Sequence, residues 1–187
     1  MSEQNFKICA ISGSLRKGAY NIAVLRAAQE LAPAGVKFEI VSLADIPLYN
    51  EDLRDGTGFP PAVEHLRETA RAADALLFAT PEYNFSTSGV LKNALDWLSR
   101  PPNRPVSGKV YGVLGASSGL MGTSRAQAHL RQIMVGLNAF TINEPQVFIA
   151  GAAQKFDTEG KLTDQGARDL IAQLLVALVA FAHKMKA

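Results

Sequence analysis

Short apolar runs alternate with longer stretches of helical period from one end of this chain to the other, and that alternation leaves few folds open. Phe6 to Ser12 reads as a strand, and Ile22 to Ala32 reads as a helix closed by Pro33, Ala34 and Gly35. Next come strand Lys37 to Leu43, helix Ala62 to Ala72, strand Asp74 to Thr80 and helix Val90 to Ser99. After the loop Arg100 to Ser107, strand Lys109 to Gly115 leads to helix Thr123 to Val135. A short strand near Ala139 to Ile142, which Val147 to Ile149 could extend, precedes a last helix from Asp164 to Lys184.

The run Ala75-Leu-Leu-Phe-Ala79 is apolar at every position. Only a strand covered on both faces needs that, and parallel sheets are covered by the helices that connect their strands. Five βα units therefore predict an α/β fold: a doubly wound five-stranded parallel sheet in the order 2-1-3-4-5, with helices on both faces. In such sheets ligands bind beyond the carboxyl ends of the strands at the switch point, so the loops after strands one, three and four should carry function. At 187 residues and 48% hydrophobic composition, residues 1–187 are expected to form one domain around one sizeable core. The Gly/Pro-rich loop Pro47 to Pro61 is too short for a domain boundary.

Charge narrows the partners. Nineteen Lys and Arg against 17 Asp and Glu give +2, too little for a broad field that would hold nucleic acid or an anionic membrane. The N-terminus lacks the pattern of a signal peptide, and the longest apolar run, Leu170 to Ala182, is shorter than the roughly 20 residues that cross a bilayer. It reads as a buried helix, with no membrane insertion. The one cysteine, Cys9, can form no internal disulfide and falls inside the first strand as a core residue; a cytoplasmic setting is expected.

Directly after the first strand comes Gly13-Ser-Leu-Arg-Lys-Gly-Ala-Tyr-Asn21, leading into a helix. Such a loop turns free backbone N–H groups and the positive end of a helix dipole toward an anion. Ser14 and Asn21 can donate further hydrogen bonds, and the planar fork of Arg16 suits phosphate oxygens. Better-known loops fail here at definite residues. A nucleotide P-loop would continue Gly13-x4-Gly18 with Lys and Ser or Thr, where this chain has Ala19 and Tyr20. The dinucleotide fingerprint needs three glycines, and only Gly13 and Gly18 are present. A thiolate phosphatase would place five residues between its Cys and Arg, whereas Cys9 and Arg16 have six.

The third strand runs into Pro81-Glu-Tyr-Asn-Phe-Ser-Thr-Ser-Gly89, a proline-stiffened loop whose Tyr83 and Phe85 offer a platform for a flat ring. The fourth runs into Gly115-Ala-Ser-Ser-Gly-Leu-Met-Gly122, where small residues let backbone approach a ligand. Gly115 to Gly119 also matches the nucleophile elbow G-x-S-x-G, so a serine hydrolase using Ser117 is a rival. Its base would have to be His129 or His183, both in predicted helices, and Leu120 to Gly122 separate the elbow from the next helix.

Taken together, Gly13 to Asn21, Thr80-Pro-Glu-Tyr-Asn84, Gly89-Val-Leu-Lys-Asn-Ala-Leu-Asp-Trp-Leu-Ser-Arg100 and Gly115-Ala-Ser-Ser-Gly119 resemble the NADPH-dependent FMN reductase family, within the flavodoxin-like fold. The likeness covers nearly the whole chain and is nearest the bacterial quinone and chromate reductases. It implies that Ser14, Leu15, Arg16, Ala19, Tyr20 and Asn21 surround the phosphate of non-covalently bound FMN, that Pro81, Glu82, Tyr83, Asn84 and Phe85 line its ring, and that Ser117 and Gly119 close the far side. One departure is Ala19, where the family commonly has serine, so one hydroxyl donor is missing.

The resemblance further implies an NAD(P)H oxidoreductase that passes electrons to quinones by a ping-pong hydride mechanism, with chromate, ferric chelates, azo compounds and flavins as other small-molecule acceptors. Catalysis would rest on FMN, with NADPH or NADH as co-substrate and no catalytic side chain or metal. A homodimer or homotetramer is implied, to which Leu170 to Ala182, Trp97 and Leu98 could supply surface as readily as core. A flavodoxin-type electron carrier is the second alternative. Against it stand a sequence pI of about 8.7 and the Arg16-Lys17 pair in the first loop. Arg16, Lys17, Arg54, Arg100 and Arg104 are each candidates for meeting the 2′-phosphate of NADPH.

Overall fold

The structure, a computed structural model, describes residues 5–54 and 58–186; the ends of the chain and residues 55–57 of the loop Pro47 to Pro61 lie outside the described residues. The strands are β1 (Phe6–Ser12), β2 (Val36–Val41), β3 (Ala75–Ala79), β4 (Val110–Ala116), β5 (Phe140–Thr141) and β6 (Val147–Ile149). The helices are α1 (Tyr20–Glu30), α2 (Pro61–Ala72), α3 (Gly89–Leu98), α4 (Ser124–Gly136) and α5 (Gln165–Lys186). All strand pairings are parallel, in the order β2-β1-β3-β4-β5, as the alternation predicts.

Among the described residues the sheet has six strands where the sequence suggests five. The outer position beside β4 is filled by two pieces: β5 pairs with its start, through Val110 and Tyr111, and β6 with its end, through Leu114 to Ala116. The intervening Asn143-Glu144-Pro145 breaks the run because proline has no N–H to give a ladder.

Period-2 alternation divides the buried strand residues between two cores. Ile8, Ala10, Leu77 and Leu114 face α1 and α5, joining Val24, Leu25, Ile171, Leu174 and Leu178. Cys9, Ile11, Leu76, Phe78 and Val113 face α2, α3 and α4, joining Leu66, Leu91, Leu95, Leu130 and Met134. By length and composition α5 would pass for a membrane span, but Ile171, Leu174, Leu175, Leu178 and Ala182 form a stripe buried on the sheet. Trp97 and Leu98 are also wholly buried, so core packing is their role within this chain.

Arg67 on α2 is 1% exposed, and its guanidinium donates to the carbonyls of Trp97 (2.9 Å) and Pro102 (2.6 Å) while stacking 3.8 Å from the Phe59 ring centre. Trp97 Nε1 and Asn93 Nδ2 both donate to the Pro47 carbonyl at 2.8 Å, tying the start of the long loop to α3.

A cleft at the carboxyl ends of β1, β3 and β4

The three loops named from the sequence converge because the sheet's hydrogen bonding continues into them. Gly13 N–H donates to Ala79 (2.9 Å), Thr80 N–H to Leu114 (3.0 Å) and Ser117 N–H to Ile149 (3.0 Å). Gly13 is required where the first and second loops meet: a Cβ there would lie 2.8 Å from Pro81 Cδ and 2.9 Å from Ser88 Oγ. Ser88 locks the same junction, donating to the Gly13 carbonyl at 2.6 Å while capping α3 by accepting from Leu91 N–H. Gly115 performs the matching service at the third loop, where a Cβ would collide with Thr123 and the Thr80 carbonyl.

Between these loops lies a cleft of about 320 Å³ lined by Ser14, Arg16, Ala19, Tyr20, Asn21, Pro81, Glu82, Tyr83, Ser117 and Gly119, with Ala116 and Ser118. Ten of the thirteen residues singled out in the sequence thus share one cavity. Leu15 faces a neighbouring cleft instead, and Asn84 and Phe85 stand at the exposed tip of a turn beside the cavity. In that turn Tyr83 and Ser86 exchange both backbone hydrogen bonds at 3.0 Å, and Asn84 and Phe85 both have positive φ, 50° and 65°. Holding a phenylalanine at positive φ is unfavourable and needs support from outside the turn.

That support comes from α4. Glu82 gives its carboxylate to the start of α4, accepting from the backbone N–H groups of Arg125 (3.1 Å) and Ala126 (3.3 Å), and from the Arg125 guanidinium at Nε (2.6 Å). Arg125 in turn stacks 3.9 Å from the Phe85 ring centre, and His129 Nδ1 lies 2.9 Å from Ser86 Oγ. Neither Arg125 nor His129 is among the residues drawn from the sequence. The available signal was a cation in the first turn of a predicted helix, where the dipole disfavours it unless an acid comes to meet it.

On the phosphate side, α1 begins two residues earlier than the sequence suggests, so Tyr20 and Asn21 belong to its first turn. Its N-cap is Ala19, whose side chain can offer no cap, and the N–H groups of Tyr20 and Asn21 have no backbone acceptor among the described residues. The exposed Arg16 lies over the Tyr20 ring at 5.8 Å. An uncapped helix start beside a free guanidinium is the donor set a phosphate monoester needs. Asn21 has a role the sequence did not show: its amide meets the Ala116 backbone, donating one Nδ2 hydrogen at 3.1 Å and accepting through Oδ1 at 3.0 Å, which fixes the third loop.

Tyr83 and Phe85 are 52% and 64% exposed, so neither is core under the loop. The Tyr83 N–H is tied to Ser86, which leaves those of Glu82 and Asn84 without a backbone acceptor among the described residues. A cleft with phosphate donors at one end and an aromatic edge with free amides at the other fits a flavin mononucleotide. The hydrolase reading of Ser117 finds no support. His129 engages Ser86, His183 packs 5.3 Å from Phe6, and α4 starts only at Ser124. Cys9 is wholly buried, its thiol pushed up to about 12 by burial, and takes no part in the cleft.

Comparison with known proteins agrees with this geometry. Residues 6–154 match the family described as NADPH-dependent FMN reductase. The chain is 54% identical over 182 residues to an NAD(P)H-dependent FMN reductase of Pseudomonas aeruginosa, covering 97% of this chain and 98% of the relative. It is 43% identical over 189 residues to a quinone reductase of Escherichia coli, covering 100% of both. Among solved structures, the flavoenzyme NAD(P)H:(acceptor) oxidoreductase FerB of Paracoccus denitrificans superposes with a TM-score of 0.86 at 31% identity, covering 96% of this chain and 98% of that one. The chain therefore belongs to the NADPH-dependent FMN reductase family, flavodoxin-like oxidoreductases that work with FMN and a nicotinamide nucleotide.

Proposed function

We propose that this protein, acting as a single domain over residues 1–187, uses NADH or NADPH to reduce quinones and other small acceptors, among them chromate, ferric chelates, azo compounds and flavins, by a ping-pong cycle. The observation that carries the reading is the convergence of the uncapped α1 start, Arg16 and the exposed Tyr83 on one cleft. FMN, when bound, supplies the hydride acceptor and donor. The residues that would hold its phosphate are Ser14, Arg16, Ala19, Tyr20 and Asn21, with Leu15 beside them. Pro81, Tyr83 and the third-loop residues Ser117 and Gly119 would line its ring.

The free N–H groups of Glu82 and Asn84 would stabilise negative charge on the reduced ring, without a proton donor or acceptor from any side chain. Asn84 and Phe85, exposed at the turn's tip, are suited to meeting whatever approaches the cofactor's open face. A flavin ring reached from solvent would discriminate little among flat acceptors, which supports a broad acceptor range. A cytoplasmic setting and a homodimeric or homotetrameric assembly belong to the same proposal. The wholly buried Cys9 suits a reducing compartment, and exposed Leu48 and Leu120 suit contact between copies.

The test is to purify the protein without added cofactor, release any chromophore by heat, and add NADPH without oxygen. The expected result is releasable FMN whose yellow colour bleaches with NADPH and returns with benzoquinone, with parallel steady-state lines. A colourless protein that takes up no added FMN refutes the reading, and intersecting lines refute the ping-pong cycle.

A further inference from the structure

The start of α1 is the phosphate end of the cofactor cleft, yet no local cap holds it in place. Ala19 at its N-cap offers no side-chain bond, and helix ends with unsatisfied N–H groups fray. What holds the first turn comes from the far end of the chain. The Tyr20 ring meets the Phe156 ring at 5.0 Å between centres, tilted by 36°, and both are half-buried against the core shared with α5. Aromatic pairs at this separation attract beyond the area that they bury.

Phe156 is itself firmly placed. It stands at the base of a hairpin, residues 156–162, where it bridges to Leu162, and the Asp157 N–H donates to the Lys161 carbonyl at 3.0 Å. Asp157 Oδ1 closes the tip by accepting from the N–H groups of Glu159 (3.0 Å) and Lys161 (2.8 Å). Leu162 is buried in the core, and its carbonyl accepts from the Arg168 guanidinium of α5 at 3.2 Å. Arg168 also pairs with Glu30 at 3.5 Å, so the hairpin is tied to α1 at both ends of that helix.

Tyr20 separates two clefts. One is the cofactor cleft; the other, of about 330 Å³, lies between α1 and the hairpin, and Arg26, Phe156, Asp157 and Glu159 also line it. Two carboxylates against one guanidinium make the hairpin side a poor place for an anion. The phosphate belongs on the other side of Tyr20, where Arg16 lies over the ring at 5.8 Å. Among the described residues Arg16 has no acid within ion-pair distance, so its charge is free for a ligand. The contacts thus run from Phe156 to Tyr20 to Arg16.

We propose that Phe156 is a positioning residue for FMN: its ring sets Tyr20, and through Tyr20 the first N–H groups of α1 and the Arg16 guanidinium that would hold the phosphate. The proposal rests on the reading of the neighbouring cleft as the FMN site.

Riboflavin, which has the same ring system and no phosphate, separates positioning from packing. Phe156→Leu keeps the apolar volume and removes the ring that stacks. In fluorescence titrations of the cofactor-free protein, Phe156→Leu should bind FMN about three- to tenfold more weakly and riboflavin as wild type does, and Phe156→Tyr should restore the FMN affinity. Combining Phe156→Leu with Arg16→Gln should cost less than the two separate losses together, because both act along one line of contacts. An FMN affinity unchanged in Phe156→Leu, or an equal loss for both flavins, overturns the proposal. If the wild-type protein binds neither flavin, the functional reading falls instead and inorganic phosphate decides this one: it should raise the Tm of wild type more than that of Phe156→Leu, and equal shifts overturn it.

Discussion

Glu82, at the end of β3, caps a helix that begins 42 positions later: its carboxylate accepts from the backbone N–H of Arg125 while the Arg125 side chain closes back on it. The arrangement couples the flavin-side turn to α4. The N-cap residue of α4, Thr123, sits in the left-handed region at φ 72° and caps nothing, so the acid from another loop fills the place. Glu82→Gln keeps the shape but loses the charge facing the helix dipole and the guanidinium. It should lower stability by about 1–2 kcal/mol and Tm by about 3–6 °C for a chain of this size. Arg125→Ala removes the stacking on Phe85 as well and should weaken FMN binding more than Glu82→Gln. Thermal unfolding with and without FMN, together with fluorescence titration of the cofactor, checks both. Equal FMN affinity in all three proteins would show that the turn holds itself.

Asn21 is the second long-range tie. Its amide meets both the N–H and the C=O of Ala116 across 95 positions of chain, in a buried site. Asn21→Ala would leave two buried backbone groups unpaired, each costing about 1–3 kcal/mol. Denaturant unfolding should show a loss of about 2–4 kcal/mol. The residual fold should bind FMN more weakly because the third loop is no longer pinned. Asn21→Asp should lose almost as much, since a carboxylate cannot donate to the Ala116 carbonyl. Asn21→Asp with wild-type stability would contradict this account.

These two ties mark where sequence reasoning stops. The sheet order was legible because alternation and both-face apolarity at Ala75 to Ala79 are local properties. The cleft was legible because loops at carboxyl ends follow from that order. The uses of Glu82, Asn21 and Ser88 were not, since each is decided by a partner tens of residues away, and a polar side chain in a loop reads the same whether it faces ligand or backbone. Arg67 is the extreme case: a charged residue in a helical pattern reads as solvated, yet here two carbonyls and the Phe59 ring take it out of water. The split of the fifth strand turned on Pro145, visible in the sequence but silent on whether the chain would resume beside the same neighbour.

The buried thiol of Cys9 sets a pH dependence with a definite sign. Burial, with a smaller contribution from the Glu39 charge, raises it from the ordinary 9.0 to about 12. Below pH 9.0 the thiol is protonated in both folded and unfolded chains and contributes no slope. Between 9.0 and about 12 only the unfolded chain releases the proton, so stability falls as pH rises. The slope due to Cys9 should approach about 1.4 kcal/mol per pH unit. Cys9→Ala should be flatter than wild type by that amount in denaturant unfolding across this window. Iodoacetamide at neutral pH should leave the native protein unlabelled and modify one thiol after unfolding.

Ala19 offers a gain instead of a loss. It occupies the N-cap of α1 with extended backbone, φ −66° and ψ 131°, which is the conformation in which a serine hydroxyl reaches the second or third N–H of a helix. Ala19→Ser adds only an oxygen, at a position lining the cofactor cleft. Without cofactor, the hydroxyl should cap α1 and raise stability by about 0.5–1 kcal/mol. With FMN present the same hydroxyl can donate to the phosphate, adding a charge-assisted bond that should tighten binding about three- to tenfold. The two effects are compatible: the cap uses a lone pair of the hydroxyl oxygen and the phosphate bond uses its hydrogen, as Ser88 Oγ accepts and donates at once at the start of α3. Measuring the apoprotein's Tm and the FMN dissociation constant on the same variant separates them. A higher Tm with unchanged affinity would assign the hydroxyl to the helix alone, and tighter binding with unchanged Tm would assign it to the cofactor. Weaker FMN binding in Ala19→Ser would show that the backbone N–H groups of Tyr20 and Asn21 already hold the phosphate at a distance the extra oxygen obstructs.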